Sequence, residues 1–168
     1  MSFTDLSTHF IELQDIYSQT VGSGQRSLAI TCAEGGEGVT MVAVALARRA
    51  AEGRRKTLLV DMNLSNPEIH ERFGMQRRDW NPDGEESWQA AMQLADADGH
   101  LTILAAPTES SGHWSFRDRT AMSICLAKWH ADFECVILDT SPVNRHNARN
   151  IPTATLCGRC SSGSASFA

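Results

Sequence analysis

Short apolar runs alternate with longer amphipathic stretches through most of the chain. Four runs read as apolar strands: Ser27-Leu28-Ala29-Ile30-Thr31, Lys56-Thr57-Leu58-Leu59-Val60-Asp61, Leu101-Thr102-Ile103-Leu104-Ala105-Ala106 and Cys135-Val136-Ile137-Leu138-Asp139-Thr140-Ser141-Pro142. That is the pattern of strands covered on both sides. Helical spacing lies between them, from Val42 to about Gly53, from Glu86 to Leu94, and from Arg117 to His130. In the last of these Met122, Cys125, Leu126 and Trp129 share one face. Asn66 and Pro67 predict the cap and first position of a short helix that Gly74 ends. A first helix is predicted from Asp5 to Tyr17, followed by a Val21-Gly22-Ser23-Gly24 linker, and the polar stretch Met75 to Glu86 reads as a surface loop. Strands alternating with helices predict an α/β fold with a doubly wound, mostly parallel sheet. The expected organisation is residues 1–24 as helix and linker, 25–156 as the α/β domain, and 157–168 as a disordered tail without strand pattern.

The turn after the first strand carries the chemistry. Cys32-Ala33-Glu34-Gly35-Gly36-Glu37-Gly38-Val39-Thr40 has the layout of a phosphate-binding loop, G-x-x-x-x-G-K-[ST], whose backbone N–H groups cradle phosphates and whose lysine reaches the outer oxygens. Gly35, Gly36 and Gly38 keep the permissive backbone, and Thr40 keeps a hydroxyl suited to Mg²⁺ at a helix start. Ala33 replaces the first glycine and Val39 replaces the lysine, beside Glu34 and Glu37. A charge-assisted hydrogen bond contributes about 1.5–3 kcal/mol to a ground state, and phosphoryl transfer asks more of its cations. Loss of catalysis is therefore expected before loss of binding. The candidate nucleotide contacts are Gly35, Gly36, Glu37, Gly38, Val39, Thr40 and Met41.

Two strands end in carboxylates, Asp61 before Met62-Asn63-Leu64-Ser65-Asn66-Pro67 and Asp139 before Thr140-Ser141-Pro142. A lone Asp there is commonly a turn or helix cap. A pair behind a phosphate loop suggests a Mg²⁺-water site at the carboxyl edge of the sheet.

These three motifs resemble, in order, those of the bacterial tyrosine kinases of capsule and exopolysaccharide synthesis, relatives of the Min and Par ATPases. The resemblance runs from about Ser27 to Pro152. Family members read like S-A-E-P-G-E-G-K-T at the first motif; hhhhD-x-D-x-R-x-P-x-h-h-x-x-F-G at the second is similar to Asp61 through Gly74, and D-T-P-P to Asp139-Thr140-Ser141-Pro142. It implies a P-loop NTPase-like fold, Thr40 as a Mg²⁺ ligand, and Asp61 and Asp139 holding the ion's waters and serving as the catalytic carboxylates if the site is active. ATP or ADP with Mg²⁺ is the implied cofactor, weakened by Val39. The chain departs from the pattern at Val39, at Asn63 for the second Asp, and at Ser65 for the frequent Arg, each removing charge from one site. The family phosphorylates a C-terminal tyrosine cluster, whereas Tyr17 is the sole tyrosine here, which excludes self-phosphorylation of that kind. The first helix retains Glu12 without a following Arg, so ring assembly is unsupported. Relatives continue past Leu156 with a further strand and helix, so a shortened sheet with an exposed edge is expected.

Composition narrows the partners. The 168 residues, 42% hydrophobic and 21% charged, suit one globular domain. A net charge of −5 argues against a nucleic-acid binder held by bulk charge. No run approaches the ~18 apolar residues of a membrane span, and the N-terminus lacks a secretory pattern, so a cytoplasmic protein is expected, peripheral at the inner membrane through a partner. Five cysteines suit a reducing compartment; Cys32, Cys125 and Cys135 read as core, and Cys157-Gly158-Arg159-Cys160 lacks a second pair to complete a metal site. His70 and His130 read as helix-surface residues.

Three readings stay open. The first is a degenerate nucleotide-binding protein of exopolysaccharide or capsule synthesis, a non-catalytic or weakly active partner of a membrane chain-length regulator or another polysaccharide-synthesis protein. The second is a working ATPase or tyrosine kinase whose cation arrives in trans. The third is a Min/Par-like positioning ATPase, for which self-association is expected but no basic amphipathic tail is evident.

Overall fold

A computed structural model describes residues 6–33, 36–82, 84–108 and 118–142 and the backbone of 160–162. Among the described residues the elements are α1 (Ile11–Gln19), a 3-10 turn (Val21–Ser23), β1 (Ser27–Thr31), α2 (Val39–Glu52), β2 (Thr57–Met62), α3 (Ile69–Arg72), α4 (Glu85–Ala91), β3 (Gln93–Leu94), β4 (Leu101–Leu104), α5 (Arg119–Asp132), β5 (Cys135–Thr140) and β6 (Cys160–Ser162). Six strands form one sheet in the order β3-β4-β2-β5-β1-β6. Every pairing is parallel except that of β3 with β4. The α/β reading holds, and every residue of β2, β4 and β5 is buried, as apolar runs covered on both faces require.

The two faces are filled differently. On one, α2 lies against β1, β2 and β5 through Ala43, Ala47 and Ala50, whose small side chains let the helix approach closely, with Val44 and Leu46 filling the remainder. Leu13 of α1 and Val21 join this cluster, so the segment expected as a linker is a 3-10 turn anchored by a buried valine. Arg49 fixes α1 further, donating to Gln14 Oε1 at 3.0 Å and lying 4.9 Å from the Tyr17 ring centre. On the other face Trp80, Trp88 and Trp129 meet edge to face, with ring centres 6.3 and 6.1 Å apart. Such contacts contribute about 0.5–1.5 kcal/mol each beyond the area they bury. Helix α5 is capped by Asp118, whose side chain accepts from Thr120 N–H and Ala121 N–H, and its Met122, Cys125, Leu126 and Trp129 are buried as the spacing predicts.

Several expectations are corrected. Met75–Glu86 is not simply a surface loop: Trp80 within it is 2% exposed, and its indole N–H donates to Ala105 O at 2.7 Å. Residues 93–94 leave the helix expected there and pair as a short antiparallel edge strand. The expected cap at Asn66 is not used; α3 begins at Ile69, whose N–H is taken by Asp61. Within the tail expected to be disordered, Cys160–Ser162 pairs parallel to β1, Ala29 opposite Cys160. The edge of β1 offers backbone donors and acceptors to any extended segment, whatever its side-chain pattern. His70 and His130 are half-buried rather than open, and burial lowers the pKa of each. Among the described residues no helix is long and apolar enough to cross a membrane.

Candidate nucleotide site

A cleft of about 320 Å³ lies at the carboxyl ends of β1, β2 and β5, where open α/β sheets bind ligands and within the usual size range of small-molecule pockets. The turn from β1 to α2 forms one wall, contributing Cys32, Gly36, Glu37, Gly38, Val39, Thr40 and Met41. Gly36 and Gly38 hold φ of 89° and 78°, a left-handed backbone that glycine alone adopts without strain. Their conformations turn the chain into α2, whose 14 residues begin at Val39. The first N–H groups of that helix have no partner within it, and its dipole favours an anion there. Gly35 lies outside the described residues.

The second and third motifs supply the rest of the wall. Asn63, Ser65, Asn66, Glu68 and Arg72 come from the segment after β2, and Thr140, Ser141 and Pro142 from the end of β5. Ser141 Oγ donates to Asn63 Oδ1 at 2.7 Å and joins the two strand ends. Thr140 Oγ1 donates to Ile30 O at 2.9 Å, and Thr31 Oγ1 to Ser141 O at 3.1 Å, tying β1 to β5.

Asp61 and Asp139 stand opposite each other in the β2–β5 register and are fully buried behind the cleft rather than lining it. Asp61 is engaged locally. Its Oδ1 accepts from Asn63 N–H at 3.1 Å and its Oδ2 from Ile69 N–H at 3.2 Å, closing a turn and starting α3. Burial pushes its carboxyl up to about 8, helped by the charge of Asp139 and opposed by those two hydrogen bonds and by Arg77. Among the described residues neither oxygen of Asp139 has a hydrogen-bond partner within bonding distance. Burial pushes that carboxyl up to about 7; the Thr40 hydroxyl and Arg72 favour its charged form, and Glu68 disfavours it.

A buried carboxyl with both oxygens orphaned, next to a threonine at the start of a helix, is a donor set that fits a hydrated divalent cation. Thr40 and Asp139 would hold that ion more directly than Asp61, whose oxygens already serve the backbone. Among the described residues no group of three or more His, Cys, Asp and Glu forms a metal cluster on its own, so an ion here would take much of its coordination from water and ligand oxygens.

The structure also adds a residue that the motif comparison overlooked. Arg72 lines the same cleft as Val39, so the site is not stripped of positive charge. It lies outside the loop in sequence, and only its place at the end of α3 brings it there.

No protein-family profile and no curated protein matches the chain. Solved structures do. The kinase domain of VpsO is 24% identical with a TM-score of 0.74, over 88% of this chain and 73% of that one. The kinase domain of the Escherichia coli tyrosine kinase ETK is 19% identical with a TM-score of 0.65, over 88% of this chain and 56% of that one. A cobyrinic acid a,c-diamide synthase from Mycobacterium smegmatis, solved with ADP and magnesium, is 24% identical with a TM-score of 0.59, over 70% of this chain and 51% of that one. The chain thus has an α/β P-loop NTPase-like fold, and it spans between about half and three quarters of the length of these structures.

Proposed function

We propose that the chain is a degenerate nucleotide-binding protein of the bacterial tyrosine kinase type, non-catalytic or weakly active, serving exopolysaccharide or capsule synthesis as the partner of a membrane chain-length regulator. One observation carries the reading: the loop, the helix start and the two strand ends still close a cleft, yet Val39 occupies the lysine position in its wall. Backbone N–H groups at the start of α2 would hold a diphosphate, and Thr40 and Asp139 a hydrated Mg²⁺. When bound, that ion would supply charge neutralisation at the phosphates. The chain's own part is to orient and dehydrate the ligand. Without the loop lysine, the stabilisation that grows in a phosphoryl-transfer transition state is the part most weakened. The kinase domains of VpsO and ETK support the assignment through their shared fold and the ordered motifs, and the ADP- and magnesium-bound synthase supports the choice of ligand.

Calorimetric titration of Mg-ADP and Mg-ATP into the natural chain and into Val39→Lys tests this. Measurable but weak binding by the natural chain is expected, tightened about tenfold or more by Val39→Lys. Absence of binding by both would sink the nucleotide reading. The reading as a working ATPase is favoured by one feature, the orphaned carboxyl of Asp139 beside Thr40. Phosphate release that rises when the cytoplasmic segment of a chain-length regulator is added would select it, and nucleotide-dependent dimerisation would select the positioning ATPase instead.

A further inference from the structure

The cleft wall holds three charged side chains among the described residues, Glu37, Glu68 and Arg72. Without Arg72 every charge that the described residues bring to that wall would be a carboxylate, set in front of two buried acids. A phosphate entering such a wall would meet only repulsion beyond the helix start.

Arg72 is also placed where a phosphate ligand would need it. Asp61 takes the Ile69 N–H and so fixes where α3 begins, and α3 carries Arg72 at its last position. The Arg72 side chain is 11% exposed and that of Glu68 35%. Their ion pair spans 3.3 Å, longer than the roughly 2.7–2.9 Å of a strong charged hydrogen bond. The guanidinium is therefore the more desolvated member, and Glu68, whose Oε1 also accepts from Asn66 Nδ2 at 2.9 Å, is the more exposed one. Both side chains line the same cleft as Val39 and Thr40.

We propose that Arg72 is the cation of the phosphate site: its guanidinium, held against the cleft wall by Glu68, takes the place of the lysine that Val39 lacks and binds a diphosphate group, exchanging the Glu68 carboxylate for phosphate oxygens. The inference rests on reading the cleft as a nucleotide site. Guanidinium suits this exchange, because its planar fork can bind two phosphate oxygens at once. The arrangement also makes Glu68 a built-in competitor that sets affinity low.

The test is calorimetric titration of ADP and, separately, of inorganic pyrophosphate, without Mg²⁺, into the natural chain, Arg72→Ala, Glu68→Gln and the double variant, each checked for folding by circular dichroism. Arg72→Ala should weaken both ligands roughly tenfold or more, and Glu68→Gln should tighten both several-fold. In the Arg72→Ala background the gain from Glu68→Gln should vanish, which a general change in net charge would not produce. ADP binding that survives Arg72→Ala within twofold, or a Glu68→Gln gain that persists without Arg72, overturns the role of Arg72 and leaves the nucleotide reading intact. Arg72-dependent binding of pyrophosphate without binding of ADP upholds Arg72 and overturns the nucleotide reading. Binding of neither ligand by the natural chain and by Glu68→Gln overturns both.

Discussion

Strands β2 and β5 lie side by side in register, and each is an apolar run with a carboxylate near its end, Asp61 opposite Asp139. Both side chains are fully buried, and burial raises the pKa of both. The two differ in the path the chain takes beyond the strand. After β2 it folds back at once, and the Asn63 and Ile69 N–H groups close on the Asp61 oxygens. After β5 it continues through Thr140 and Ser141, whose hydroxyls bond to Ile30 O and Asn63 Oδ1, and among the described residues no backbone donor turns back on Asp139. The same local sequence therefore yields a folding element at one end and an unfilled acceptor at the other. A carboxylate at a strand end is a candidate ligand only after the backbone donors around it have been assigned.

The largest effect expected from this contrast is on stability. Asp61→Ala strips two backbone N–H groups of their acceptor, at about 1–3 kcal/mol each when buried. A loss of about 2–4 kcal/mol in urea unfolding is expected, with α3 displaced. Asp139→Asn strips no described backbone N–H of its acceptor and abolishes an ionisation that burial opposes, so it should leave the protein as stable or more stable at neutral pH. If Asp61→Ala cost less than Asp139→Asn, the distinction between the two ends would be wrong.

The second effect is a pH dependence, whose sign is set by the raised pKa values. Asp61 and Asp139 hold their protons to about 8 and about 7 in the folded protein, against 3.8 when unperturbed. Between these limits the folded state binds protons that the unfolded chain has released. Their stabilising contribution is therefore complete below about pH 4, falls as pH rises, and is gone above about 8, by up to roughly 1.4 kcal/mol per pH unit for each proton. His70 and His130 act in the opposite sense below about 6.5, since burial lowers their pKa in the folded state. The difference between the natural chain and Asp139→Asn reports the Asp139 carboxyl together with its effect on Asp61: it should favour the variant by about 1 kcal/mol or more at pH 8 and shrink towards pH 5. Mg²⁺ with ADP should reduce the difference in the natural chain's favour, because an ion near Thr40 lowers the cost of the charged form.

Strand positions were legible in the sequence because buried parallel strands leave uninterrupted apolar runs: β1 matches its expected residues, and β5 starts at the expected Cys135 and ends at Thr140, two residues before the expected Pro142. The loop and both carboxylates were legible from spacing, and the structure gathers the described loop residues at one cleft. Burial of the carboxylates behind that cleft was not, since it depends on which backbone donors fold back upon them. Arg72 was missed for a related reason: as one charged residue in His70-Glu71-Arg72, it reads as a solvated helix end, and only α3's start at Ile69 turns it to the cleft. Trp80 shows the converse. Its polar neighbours give the segment a loop's composition, yet one indole fills the core and donates to Ala105 O.

The smallest effect tests whether the two strand ends act as one site. Ser141 Oγ donates to Asn63 Oδ1 at 2.7 Å, and that oxygen also accepts weakly from Asn66 N–H at 3.4 Å. Ser141→Ala should cost about 1 kcal/mol, as expected for a partly buried neutral hydrogen bond. Asn63→Ala should cost more, because the Asn66 turn loosens as well. If the bond bridges the two ends, the double variant will be less destabilised than the sum of the singles by about the cost of Ser141→Ala. Additive losses in urea unfolding would mean that each end is held by its own strand alone, and that the cleft depends on the β2–β5 pairing rather than on the side chains that cross it.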